Sequence, residues 1–111
     1  MEPPIGDLTG EEYNRKFPQK EDSEKVYVRK GAAFQTDPDP PHDFIPVNRQ
    51  LYGSFQFPIN GSTPLPDNTG FAWTYITDVQ QDPRHVMDMY APEQLPILST
   101  LARNFKVCDR W

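Results

Sequence analysis

The sequence has one cysteine, no long apolar run and few basic residues in its central part, and each shortage excludes a class of protein. A single cysteine cannot form an internal disulfide, so cysteine usage does not indicate a redox compartment. No apolar run exceeds three residues, whereas a membrane-spanning helix needs about 20. We therefore expect no transmembrane segment. The first residues also lack the basic-then-apolar order of a secretory leader.

The net charge is −5, and it is unevenly spread along the chain because basic residues are scarce in the central part. Between positions 31 and 90 the only bases are Arg49 and Arg84, against seven acids. Because no basic stripe could neutralise a phosphate backbone, nucleic-acid binding is not expected. The simplest interpretation of the acidic centre is a solvated surface, and the alternative is a site for a cation.

Apolar residues are also few, since only 36% of the 111 residues are hydrophobic. The 13 prolines exclude a fully helical bundle, because proline interrupts helices. The aromatic content of 13% argues against a disordered chain. The length suits one domain, and we expect a loop-rich piece with a thin core.

Hydrophobic patterning predicts a strand and a helix in the first half of the chain. Residues 24–29 have a β-favouring centre and are followed by Gly31. Residues 42–52 place apolar side chains at helical spacing, with Asp39 as the predicted cap and Gly53 as the end.

A second helix is predicted over residues 71–79, after a loop that covers 53–69. Asn68 or Thr69 is its predicted cap, and the Asp-Pro pair at 82–83 is its predicted stop.

The last 20 residues predict a helix that begins at Pro96 and leads into a strand over 106–111. A helix that feeds a strand is typical of α/β proteins, in which such a strand pairs with others. No second convincing strand lies nearby. We therefore assign the chain to the α/β class, interpret it as an incomplete piece, and expect an exposed edge at 106–111 and low stability.

His42 is the main candidate for chemistry, since it follows a proline-stiffened turn and lies between Asp39 and Asp43. Such a histidine can act as a general acid, a phosphate contact or a metal ligand. From the residues alone, the preferred interpretation is a histidine at a helix start that bonds to nearby backbone.

The other reactive or aromatic residues favour structural interpretations. His85 is predicted to be a surface histidine and Cys108 a buried, inert thiol. Trp73, Tyr75 and Trp111 are predicted to pack in the core rather than to stack on a ligand. No zinc-ligand spacing, nucleophile elbow or phosphate-binding glycine loop occurs.

Five stretches taken together resemble a known family. They are residues 8–14, 36–44, 70–75, 87–102 and 107–111. In this order they resemble the phosphoesterase family that includes bacterial phospholipase C, plant non-specific phospholipases C and acid phosphatases. The most specific stretch is proline–glutamate–glutamine–leucine–proline followed by cysteine–aspartate–arginine–tryptophan.

The resemblance implies an alkaline-phosphatase-like α/β fold that hydrolyses phosphate esters, often phospholipids, at a site assisted by a divalent metal. In the family, a glutamate–asparagine metal motif precedes the matched part, and the nucleophilic threonine or serine follows it. Residues 1–111 are therefore identified as the part of a phosphoesterase domain between these two motifs. No metal is expected to be bound by this piece. Family members are often secreted or periplasmic and some are cytoplasmic, so localisation stays open.

Within the family pattern, His42 matches a histidine that resembles a phosphate contact or proton donor of the complete enzyme. Because phosphoryl transfer needs an activated nucleophile and charge stabilisation, we expect this chain alone to be inactive. The alternative hypotheses are a small non-catalytic binding module and a short hydrolase that uses His42 with local acids. The lack of a paired nucleophile makes the last one the weakest.

Overall fold

The structure, a computed structural model, describes residues 9–55, 62 and 64–108. Its elements are short strands and short helices, with three strands first and the helices after them. In chain order they are β1 (Tyr13–Arg15), β2 (Lys25–Tyr27), β3 (Arg29–Lys30), α1 (Phe44–Tyr52), α2 (Phe71–Thr74) with a π-helical continuation (Tyr75–Val79), α3 (Arg84–Met87), β4 (Asp88–Met89) and α4 (Pro96–Asn104). This mixture of helices and a few strands fits the α/β class.

The strands form two pairs. β1 and β2 are antiparallel, with Asn14 opposite Val26, whereas β3 and β4 are parallel, with Arg29 opposite Asp88. The strand predicted over 24–29 is thus confirmed, and it is divided between the two sheets. β1 and β4 are not predicted by the sequence pattern, because two or three residues are too few to show an alternation.

The core lies where β2 meets α2 and α3. Val26, Ala72 and Met87 are buried there, and Phe71 and Val86 pack against them half-buried. The core is as thin as the composition predicts. It nevertheless joins segments that are far apart in sequence.

Helix α1 is confirmed, and its predicted cap is wrong. The N-cap residue is Asp43, whose side chain makes no capping hydrogen bond, and Asp39 lies outside the helix. The proline pair at 40–41 explains this, because each residue before a proline is kept out of the helical region. The predicted end is right, since Gly53 has φ 63° and its N–H donates to Arg49 O at 2.9 Å.

Helix α2 is also confirmed, and its predicted cap and stop are wrong. The N-cap residue is Gly70, and the N–H of Ala72 is instead satisfied by the side chain of Asn14, 3.1 Å away. The hydroxyl of Thr69, one of the two predicted caps, donates a hydrogen bond to Asp67 Oδ1 instead. The π-helical turn ends where Gln80 adopts φ 60°. The Asp-Pro pair lies beyond this point and directly precedes α3.

The C-terminal helix α4 begins at Pro96 as predicted. The strand predicted over 106–111 is not observed at 106–108, where the chain has no regular structure and is exposed, and 109–111 lie outside the described residues. No strand in the described ranges lies beside 106–108 to pair with it. The loop predicted over 53–69 is confirmed, in that its described residues lie outside every helix and strand given above.

Candidate functional site

His42 lies on the turn that leads into α1. Its imidazole is exposed, with Nδ1 3.3 Å from Pro40 O and 3.4 Å from Asp39 Oδ2. The backbone contact expected for a histidine at a helix start is therefore present. Asp39 adds a carboxylate beside the ring. Both side chains remain accessible to a ligand.

A cavity of about 340 Å³ lies next to this turn and brings separate segments together. Its lining includes Thr36, His42, Tyr75, His85 and Asp88. A second cavity of about 120 Å³ shares part of this lining. The two histidines of the sequence thus line one space, although they are 43 positions apart.

Tyr75 forms the buried wall of the cavity. Its side chain is 1% exposed, and its hydroxyl donates to Pro38 O at 2.7 Å. Burial raises the pKa of Tyr75, and the negative charges of Asp37 and Asp39 raise it further. The hydroxyl therefore keeps its proton at neutral pH. The prediction that Tyr75 packs in the core is confirmed.

His85 is placed in the first turn of α3 and packs against Tyr75. The two rings meet edge to face, with centroids 6.1 Å apart, and Nδ1 of His85 is 3.5 Å from the tyrosine hydroxyl. The prediction of an exposed histidine is confirmed. That it lines the same cavity as His42 could not be predicted, because nothing in the sequence around it indicates what α3 packs against.

Asp88 contributes a carboxylate to the wall of the cavity, and the guanidinium of Arg29 balances its charge. It accepts hydrogen bonds from Arg29 Nε at 2.9 Å and from the Arg29 terminal nitrogen at 3.0 Å. This paired geometry raises the pKa of Arg29, mainly through the hydrogen bonds to Asp88. The ion pair also joins β3 to β4, so it holds one side of the cavity in place.

The remaining candidate residues lie elsewhere. The prediction that Cys108 is a buried thiol is wrong, since Cys108 is exposed; the segment around it forms no strand that could cover it. Trp73 is half-buried, with the guanidinium of Arg49 over its ring at 5.9 Å. Trp111 lies outside the described residues.

A metal ion does not fit the residues described. In residues 9–55, 62 and 64–108, no group of three or more His, Cys, Asp or Glu side chains is arranged to hold one. His42 and Asp39 supply only two donors, both exposed. Within the same ranges, no helix has the length and apolarity to cross a bilayer.

Comparison with known proteins identifies relatives along nearly all of the chain. Non-specific phospholipase C1 of Arabidopsis thaliana is 35% identical over 109 residues, which cover 98% of this chain and 19% of the plant protein. Non-specific phospholipase C6 of the same plant is 31% identical over 111 residues, covering 100% of this chain and 19% of that protein. Non-specific phospholipase C3 of the same plant is 37% identical over 79 residues, covering 68% of this chain and 14% of that protein.

The chain spans about a fifth of the length of the first two of these relatives. No solved structure matches it. The sequence profile of the Phosphoesterase family matches residues 5–111. Because this match covers nearly the whole chain and agrees with the relatives, the chain belongs to the Phosphoesterase family.

Proposed function

We propose that this chain is part of a hydrolase of phosphate esters with phospholipase C-type activity on phosphodiesters, in which His42 contacts the phosphate or donates a proton. The observation that carries the proposal is the family match over residues 5–111. The similarity to plant non-specific phospholipases C supports the phosphodiester specificity. The alkaline-phosphatase-like fold is part of the same proposal.

The surroundings of His42 are compatible with either role. The ring is exposed, lies at the edge of a cavity and has Asp39 beside Nδ1. A carboxylate next to one ring nitrogen favours a proton there, which leaves the other nitrogen to face a substrate. General acid catalysis by such a group contributes about 10²- to 10⁴-fold to a rate.

We further propose that the chain alone does not turn over substrate. The hydroxyls of Thr77 and Thr100 donate to backbone carbonyls one turn earlier, at 3.0 Å and 2.7 Å, so neither is activated as a nucleophile by a histidine. The described residues also do not hold a metal. The divalent metal of the family therefore enters no step that we derive for these residues.

A segment exchange tests the role of His42. The part of Arabidopsis non-specific phospholipase C1 that aligns with this chain is replaced by this chain, and phosphodiester hydrolysis is measured. We expect the hybrid to be active and His42→Ala to lower kcat about 100-fold or more. Asp43→Asn is the matched control, because Asp43 is an exposed neighbour whose side chain makes no capping bond.

Full activity of the His42→Ala hybrid would show that His42 has neither role. The isolated chain is assayed in parallel with added divalent metals. Turnover above that of its His42→Ala variant would overturn the prediction that it is inactive.

A further inference from the structure

The cavity beside His42 contains a second imidazole. His85 approaches from α3 and His42 from the turn before α1, and both line the same space of about 340 Å³. A tetrahedral phosphate has oxygens on all sides, so donors from two separate elements can bind it together. The cavity is therefore suited to a ligand held between the two rings.

The contact with Tyr75 favours one nitrogen of His85 over the other as the site of its proton. A tyrosine hydroxyl has one proton, and that of Tyr75 is donated to Pro38 O at 2.7 Å. The hydroxyl thus presents a lone pair to Nδ1 of His85, 3.5 Å away. This contact is long for a hydrogen bond, and the edge-to-face packing of the two rings also fixes the imidazole. The arrangement favours a proton on Nδ1.

Nε2 is then the nitrogen of His85 that remains for a ligand. In the described part of the chain, no hydrogen bond to Nε2 of His85 is formed. When the ring is protonated, Nε2 donates; when it is neutral, Nε2 accepts. His85 can therefore contact a phosphate oxygen in the first state and a protonated ester or acid in the second.

The side chains around the cavity suit a ligand that accepts hydrogen bonds better than they suit a metal cation. Asp88 is held in two hydrogen bonds by Arg29, so its carboxylate is not free to bind a cation. No three-ligand group for a metal is formed by the described residues. Asp37 and Asp39 lie near enough to Tyr75 to influence it, and their charge opposes an anion, so we expect weak binding.

We propose that His85 is a second phosphate-contacting residue of the His42 site and that Tyr75 is the positioning residue that holds its ring. This inference rests on the proposed function, because it takes the ligand to be a phosphate ester. It adds a residue whose sequence context indicates only a surface position. It also assigns a function to the contact between Tyr75 and His85.

The experiment is a titration of the full 111-residue chain with phenyl phosphate, observed by NMR of the histidine rings. Sodium chloride at matched ionic strength is the control. Because the chain has two histidines, the variants His42→Gln and His85→Gln assign the two resonances. We expect both rings to shift with one common dissociation constant, and His85→Gln to weaken binding at His42 about tenfold.

Tyr75→Phe tests the positioning role, since it keeps the buried ring and removes the hydroxyl. We expect the nitrogen shifts of His85 to move away from the Nδ1-protonated form and binding to weaken about threefold. The comparison requires that the amide spectrum of Tyr75→Phe stay that of the folded protein, because a loosened fold would also release His85 from the Nδ1-protonated form. Unchanged nitrogen shifts would refute the role of Tyr75.

The outcomes separate this inference from the proposed function. If only His42 responds to phenyl phosphate, the inference about His85 is wrong and the role of His42 stands. If only His85 responds, the role of His42 is wrong. If neither ring responds more than in sodium chloride, both are wrong.

Discussion

Residues 13–90 and residues 96–108 differ in what their apolar side chains contact. In the first region, which we call the packed region, Val26, Tyr75 and Met87 are at most 7% exposed. In the second region, α4 carries an apolar face of similar quality, yet it has no buried residue, and Ile97 and Leu98 are 76% and 62% exposed. The two regions therefore have similar local patterns and different surroundings.

The hydrogen bonds show the same contrast. In the packed region, Asn14 donates to Asn68 O at 3.0 Å and accepts from the N–H of Ala72, so one side chain joins β1 to the start of α2. In α4, the side chain of Asn104 donates to Thr100 O, one turn earlier in the same helix. An amphipathic pattern thus predicts that a helix forms, and it does not predict whether anything covers that helix.

The largest expected effect is that of Gly70→Ala in the packed region. A Cβ at this position would collide with the carbonyl group of Arg49, so α1 and α2 could not remain as close as they are. We expect a loss of about 3 kcal/mol in the free energy of unfolding, measured by urea denaturation with far-UV circular dichroism.

Gly31→Ala is the control for this substitution. Nothing lies within 4 Å of the added Cβ there, and the cost is limited to the strain of φ 95°, about 1 kcal/mol. Equal losses for the two variants would mean that the contact between α1 and α2 does not stabilise the packed region.

A smaller effect is expected from Asn14→Ala. The substitution removes the hydrogen bonds of the buried amide and leaves the Ala72 N–H and Asn68 O without this partner. Because a buried group without a partner costs about 1–3 kcal/mol, we expect a loss of about 2 kcal/mol by the same measurement. Asn104→Ala, the same substitution on exposed α4, is expected to change the free energy by less than about 0.5 kcal/mol. A comparable loss from both would abolish the distinction between the two regions.

The same comparison explains how much the sequence could predict. The helices α1, α2 and α4 and the strand β2 follow from local periodicity and from end residues such as Gly53. The start of α2 could not be predicted, because the group that accepts from the N–H of Ala72, in its first turn, comes from Asn14, 58 positions earlier. Cys108 was misassigned for the same reason: an alternating pattern predicts burial only where a neighbouring strand is present.

Of the residues in the candidate site, the sequence singles out only one. His42 is recognisable from its proline-stiffened turn and from the family resemblance. The partnership with His85 depends on the packing of α3 against the buried Tyr75, which brings together residues from three separate segments. Sequence spacing contains no information about such a contact, so the cavity could be found only in the structure.

The smallest expected effect concerns acid stability and Asp82, at the start of α3. Hydrogen bonds from the side chain and backbone of Arg84 lower the pKa of Asp82 to about 2, from an ordinary value of 3.8. A carboxyl with a lowered pKa in the folded state stabilises the fold above its ordinary pKa and loses this contribution as the pH falls toward 2. Because both side chains are partly exposed, we expect less than about 1 kcal/mol.

The measurement is the free energy of unfolding of the protein and of Asp82→Asn by urea denaturation between pH 5 and pH 2. We expect the difference between them to be constant near pH 5 and to disappear toward pH 2, since the protonated carboxyl and the amide then have the same charge. Other carboxyl groups titrate in this range too, and the subtraction removes their contribution. A difference that grows as the pH falls would have the wrong sign for a stabilising Asp82–Arg84 pair.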